Sequence, residues 1–184
     1  LPLIKTLLEN PSVRTVGQNI KYDLHVLRQH GIEISPLAFD TMLASYVINP
    51  TARQHSLDAQ ALKHFDVQMQ PITDLIGSGK GQKTFDVGAI DKATAYAGAD
   101  ADITYRLYGV LAPEIERLEL KSLYYDIEMP LVRVLANMEE SGIRVDDGFL
   151  AELSAGMETD LAGLEKHIYK IAVGQFNINS TQQL

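Results

Sequence analysis

The amino-acid sequence predicts an α/β fold. A short β-branched, proline-bounded run, Val13 to Gly17, is followed at once by a helical pattern that starts at Asn19. Most other apolar residues recur at helical spacing. The 184 residues are 46% hydrophobic and 22% charged, with 13 Gly and 7 Pro. That is enough to bury one good core or two small ones, and too little Gly and Pro for a disordered or collagen-like chain.

The elements follow in order. Residues 2–9 read as a short helix with apolar Leu3, Leu7 and Leu8, ending near Asn10-Pro11. After the Val13–Gly17 strand, Asn19 is placed to cap a helix in which Ile20, Leu24 and Leu27 share a face and which Gly31 closes. Asp40-Thr41 caps a helix holding Met42, Leu43, Tyr46 and Val47, stopped by Asn49-Pro50. Another helix covers Ser56 to His64, and residues 77–84 form a polar, glycine-rich loop. From Ile90 a helical pattern runs to about Leu118, with a break expected near Pro113. The texture changes near residue 121. Ile127, Leu131, Val134, Leu135 and Met138 form a stripe ending at Ser141-Gly142, and Leu150 to Ile171 traces one long amphipathic helix. Asn177 to Thr181 offer caps for a further helix, but the chain stops at Leu184.

Composition excludes several function classes. No apolar run approaches the 18 residues of a membrane span, and there is no signal-peptide pattern or initiator Met. The absence of Cys excludes disulfides and thiolate zinc sites and fits a reducing, cytoplasmic setting. The net charge of −8 argues against a protein that grips nucleic acid mainly by positive charge, though not against one that holds metal ions on carboxylates. Residues 1–120 carry 11 Lys+Arg against 14 Asp+Glu, residues 121–184 carry 5 against 10, so the C-terminal part is the less suited nucleic-acid face.

Three constellations carry candidate chemistry. In Gln18-Asn19-Ile20-Lys21-Tyr22-Asp23, Asn19 and Asp23 lie four apart on one helix face, and the helix start favours an ionised carboxylate suited to Mg²⁺ or Mn²⁺. Spacing leaves a plainer role open, in which Asn19 caps and Asp23 complements the dipole. In Tyr96-Ala97-Gly98-Ala99-Asp100-Ala101-Asp102, Tyr96 and Asp100 are one turn apart with small residues between them, so a phenol beside a carboxylate is placed to orient a water. A simple hydrogen bond on an alanine-rich packing face remains the alternative. Asp102 has Arg106 at i+4 and reads as a surface ion pair. The loop Gly77 to Thr84 fails the spacing of a nucleotide-triphosphate loop, because Gln82 stands where the second glycine is required. Its Lys80 and Lys83 are placed to touch a nucleic-acid backbone or simply to solvate a loop. The five His form no ligand pattern.

Taken together, Gly17 to Asp23, Phe39-Asp40-Thr41-Met42-Leu43-Ala44-Ser45-Tyr46 and Tyr96 to Asp102 occur in the order seen in the bacterial DNA polymerase I family, and the chain resembles its 3′–5′ proofreading exonuclease domain. Ile127-Glu128-Met129-Pro130-Leu131-Val132 through Phe176-Asn177-Ile178-Asn179-Ser180 resembles the start of the polymerase region. The resemblance implies an N-terminally truncated ribonuclease-H-like 3′–5′ exonuclease fold over residues 1–120. The first α-helices of a polymerase thumb region would follow over 121–184. It implies phosphodiester hydrolysis with two divalent ions, Mg²⁺ or Mn²⁺ with Zn²⁺ also admissible. Asp23 and Asp100 would be metal ligands, and Tyr96 would orient the attacking water. Gln18, Asn19 and Tyr22 would contact the single-stranded 3′ end of a DNA primer, with Lys80 and Lys83 nearby. The parent is expected to be a cytoplasmic monomer without a membrane partner.

The sequence departs from the family at several points. The first motif, Asp-x-Glu on a strand, does not occur and is expected upstream of Leu1. Relatives carry Gly-Arg-His where this chain has Arg53-Gln54-His55, an aromatic where Ile72 stands, and Glu where Ala99 stands. Two aspartates are too few to hold two ions, so the chain alone is expected to be inactive. The rival readings are an exonuclease-like scaffold without activity and an RNA-processing exonuclease of the same superfamily.

Overall fold

The computed structural model describes residues 2–85 and 89–181. The chain forms two compact units, Leu1–Ser141 and Gly142–Leu184.

In the first unit, helix α1 (Pro2–Leu8) leads to strand β1 (Thr15–Gly17), helix α2 (Ile20–Arg28) and strand β2 (Leu37–Asp40). The strands pair in parallel, with Val16 opposite Phe39, Gly17 opposite Asp40, and a register shift between Thr15 and Val16. Parallel neighbours need a crossover, and α2 supplies it. The turn from β1 into α2 is tight enough to require glycine. A Cβ on Gly17 would stand 2.8 Å from Ile20 Cγ1.

Helix α3 (Thr41–Ile48) follows β2 without a break, because Asp40 accepts the N–H groups of Met42 and Leu43. Helix α4 (Leu57–Phe65) is capped by Ser56, whose hydroxyl accepts the Ala59 N–H. A short helix α5 (Thr73–Ile76) and a 3₁₀ turn at Gly79–Gly81 lead to the long helix α6 (Ile90–Arg117). The break expected at Pro113 does not occur: α6 runs through it. Its C-terminal half is anchored by Ile103, Leu107, Leu111 and Ile115, four residues apart and all buried, and that packing outweighs one missing N–H.

A π-helical stretch, Leu123–Glu128, runs into helix α7 (Met129–Ser141). Tyr124 and Met129 join the main core, around Phe39 and the buried face of α6. A second cluster gathers Ile20 and Leu24 of α2 with Ile34, Val132 and Ala136. A polar strip ties the same two helices: Glu139 receives Lys21 and His25, and Arg28 bonds Asn137 and Glu140. Compactness thus places residues 121–141 with the N-terminal unit.

In the second unit, Ile143-Arg144-Val145 lies outside helix and strand, and Asp146 caps helix α8 (Asp147–Ala172) by accepting the Phe149 N–H at 3.0 Å. None of the α8 side chains is buried. Residues 177–180 form a turn closed by Ser180 N–H to the Asn177 carbonyl, and the rest of the helix expected there lies outside the described residues. No helix among the described residues is long and apolar enough to cross a membrane.

Candidate active site

A cavity of about 650 Å³ opens beside β1. It is lined by Arg14, Gln18 and Asp23 from one side and by Asp100, Thr104 and Tyr105 of α6 from the other. Asp23 and Asp100, 77 positions apart in sequence, are brought together because β1 hands the chain directly to α2 while α6 lies against β1.

The electrostatics follow from this placement. Partial desolvation in the cavity wall pushes the Asp23 carboxyl up, and the negative Asp40 pushes the same way. Burial also raises Asp100, as does the charge of Asp58; a hydrogen bond from Tyr96 opposes them. Burial, then the charge of Asp100, raises the Tyr96 phenol, so it remains a protonated donor at neutral pH. Two partly desolvated carboxylates on one cavity are hard oxygen donors, a type that suits Mg²⁺ or Mn²⁺ better than softer metals. Among the described residues, however, no three His, Cys, Asp or Glu side chains gather to hold a metal ion.

The other expected site residues fall into two groups. Gln18 is held inside the protein: its amide nitrogen donates to the His55 carbonyl at 2.9 Å, and its amide oxygen receives the Thr41 hydroxyl at 2.5 Å. His55 is fixed in turn by Ser45 at 2.9 Å and by the edge of Tyr46. Asn19 occupies the N-cap position, but its side chain makes no capping bond. It adopts φ 57°, a left-handed conformation that Asn tolerates well. The first N–H groups of α2 go to Asp40 instead. Tyr22 is 68% exposed and free to meet a base face. Lys80 and Lys83 are exposed on the glycine loop. That loop closes through Lys83 N–H to the Ile76 carbonyl at 2.8 Å, and Phe85 beyond it stands edge-on to Tyr96, 6.2 Å between ring centres. Asp102 pairs with Arg106 at 3.6 Å, away from the cavity.

Sequence reasoning missed Arg14, Asp58 and the second role of Asp40. Arg14 lies two positions before Val16, so strand alternation was the signal that could place both at one cavity. Asp58 acts only through space, from the first turn of α4, and no spacing in the chain announces it.

A protein-family model described as 3′–5′ exonuclease matches residues 1–116. DNA polymerase I of Rhizobium leguminosarum is 45% identical over the whole chain, which covers 18% of that protein. DNA polymerase I of Pseudomonas aeruginosa is 41% identical, again over the whole chain and 20% of the relative. The chain thus spans about a fifth of the length of the curated relatives it matches. Among solved structures, the POL domain of Pol1 from M. smegmatis, in complex with DNA primer-template and dNTP, aligns with a TM-score of 0.74. It is 23% identical and the match covers 98% of this chain and 28% of that one. Brucella melitensis NrnC with bound Mg²⁺ aligns at 0.60 and 21% identity, over 76% of this chain and 64% of that one. Both likenesses support the ribonuclease-H-like exonuclease fold expected from the sequence.

Proposed function

Because this chain belongs to the 3′–5′ exonuclease family of DNA polymerase A proteins, we propose that it forms part of a proofreading site that removes mispaired nucleotides from the 3′ end of a DNA primer. The observation that supports this most is the convergence of Asp23 and Asp100 on one cavity, with Tyr96 one helical turn from Asp100. On this reading Asp23 and Asp100 are metal ligands. When bound, two divalent ions, Mg²⁺ or Mn²⁺ with Zn²⁺ admissible, would stabilise the attacking and leaving oxygens of an in-line displacement. Tyr96, kept protonated, orients the attacking water from its bond to Asp100. Tyr22 and Asn19 meet the frayed strand, while Lys80 and Lys83 approach its phosphates from the neighbouring loop. Gln18 spends one donor and one acceptor on the protein and keeps one amide N–H for the strand.

Two carboxylates do not complete a two-ion site, so the remaining ligands come from an Asp-x-Glu strand outside this sequence, and the 184 residues alone are inactive. Residues 1–120 belong to the exonuclease domain and 121–184 to the start of the polymerase domain. The parent acts as a monomer in the cytoplasm. A second reading, an exonuclease for short RNA, draws on the fold likeness to NrnC, one of whose structures is bound to pGG.

The test offers the full-length parent 3′-frayed DNA primers and RNA dinucleotides side by side, with Mg²⁺ present. Preferential excision of the frayed DNA end supports proofreading. Preferential hydrolysis of the dinucleotide supports the second reading, and hydrolysis of neither supports a scaffold.

A further inference from the structure

The proposed chemistry leaves one carboxylate without a task. Asp40, at the end of β2, is 2% exposed and, among the described residues, forms no ion pair with a basic side chain. Its two oxygens take four backbone N–H groups instead. Oδ1 accepts from Asn19 at 3.2 Å, Met42 at 2.8 Å and Leu43 at 3.1 Å, and Oδ2 accepts from Ile20 at 2.7 Å. One side chain therefore closes the starts of two helices: α3, which it immediately precedes, and α2, 20 residues earlier. The second bond set stands in for the cap that Asn19, in its left-handed conformation, does not make.

The backbone of Asp40 is itself held. The Tyr124 hydroxyl accepts its N–H at 2.8 Å and donates to its carbonyl at 2.9 Å. Tyr124 is fully buried, its ring 4.9 Å from that of Phe39 and 4.8 Å from that of Tyr125. It comes from the π-helical stretch ahead of α7, far from the cavity in sequence.

We propose that Asp40 and Tyr124 are positioning residues for the exonuclease reaction. The Tyr124 hydroxyl fixes the main chain of Asp40, the Asp40 carboxylate fixes the first turn of α2, and that turn sets where Asp23 stands in the cavity. The inference rests on the reading in which Asp23 and Asp100 belong to the exonuclease site. It also makes the segment that resembles the polymerase start a working part of the exonuclease: Tyr124 lies beyond residue 120 and beyond the matched residues 1–116.

The test uses the full-length parent with Y124F, D40N, Y125F and D100A. Phenylalanine keeps the ring at position 124 and removes only the hydroxyl. Asparagine keeps the shape of Asp40 but turns one of its two acceptors into a donor facing N–H groups. A displacement of about 1 Å at a reacting group can cost about 100-fold in rate, so D40N should lose about 100-fold in exonuclease kcat and Y124F about tenfold. The rate of primer extension should stay unchanged in both, while KM for the frayed primer should rise, because Asn19 and Tyr22 ride on the same turn. Y125F, the neighbouring ring that does not hold Asp40, should leave the exonuclease at its native rate. A merely structural role would lower exonuclease and primer extension together, in step with the melting temperature, and that outcome overturns the proposal. So does native exonuclease kcat in Y124F and D40N alongside an inactive D100A. If D100A keeps its exonuclease, the underlying site reading fails first and the positioning claim falls with it.

Discussion

Replacing Gly17 with Ala tests how the fold builds its site. The added Cβ would lie 2.8 Å from Ile20 Cγ1 and 2.9 Å from both Ile20 Cβ and Cδ1, against about 3.5–4.0 Å for a comfortable carbon–carbon contact. Ile20 has nowhere to go. It is 1% exposed and packed among Leu24, Ile34, Val132 and Ala136. Overpacking of this kind costs about 1–3 kcal/mol, which for a unit of this size lowers the melting temperature by about 3–10 °C. Near-ultraviolet circular dichroism suits the measurement, because the chain has no Trp and seven of its eight Tyr lie in the N-terminal unit. The same clash displaces α2 relative to β1, so exonuclease activity in the parent should fall while primer extension is kept. A G17A variant that melts within 1 °C of the native protein would refute the claim that β1 and α2 are in contact at this turn.

Further outcomes follow from the site. The raised pKa of Asp23 means that the folded state binds the extra proton between the ordinary carboxylate value and the raised one. Stability therefore falls as pH rises through that window, and the penalty is complete above it. D23N removes the penalty, so its melting temperature at pH 7 should exceed that of the native chain and its acid-side pH dependence should be flatter; an equal or lower midpoint argues against the account in which burial, with the Asp40 charge second, raises Asp23. Y96F deletes the bond that holds Asp100 down, so the acid limb of the exonuclease pH profile should move to higher pH and kcat should fall about 100-fold. An unmoved profile would detach Tyr96 from Asp100. Replacing Lys80 and Lys83 together with Ala should weaken single-stranded DNA binding by the parent and reduce the salt slope by about 1.4, the share of two phosphate contacts. A slope equal to that of the native protein would show that the loop stays off the strand.

The helices were legible in the sequence where one signal decided them. Asp40-Thr41 and Ser56 announce their helices through short side chains that accept N–H groups two and three positions on, and the structure shows those bonds. The apolar repeat of α6 was equally plain. Its passage through Pro113 was not, because four buried side chains spread over three turns decide the matter and a local rule about proline does not weigh them. Strand β2 left no mark: Leu37–Asp40 is four residues long and exists through pairing with β1. At the site, the i, i+4 spacing of Tyr96 and Asp100 sets phenol and carboxylate close enough to shift each other's titration. Which element faces which is a property of the assembled unit, so the spacing could not place Asp23 across the cavity from Asp100. Asn19 shows the limit most clearly. Its residue type fits a cap, yet the cap arrives from Asp40 across the sheet and the Asn serves a left-handed backbone turn. The hold of Tyr124 on Asp40 spans 84 positions, and no local pattern encodes such a contact.

The central claim is that the Asp23 and Asp100 cavity performs 3′–5′ excision in a protein that also extends primers. The most direct measurement is the ratio of the two activities in the full-length parent carrying D100A, on one 3′-frayed primer-template with Mg²⁺. The account predicts that excision of the frayed nucleotide is lost and primer extension proceeds at the native rate. Excision at the native rate in D100A would contradict it.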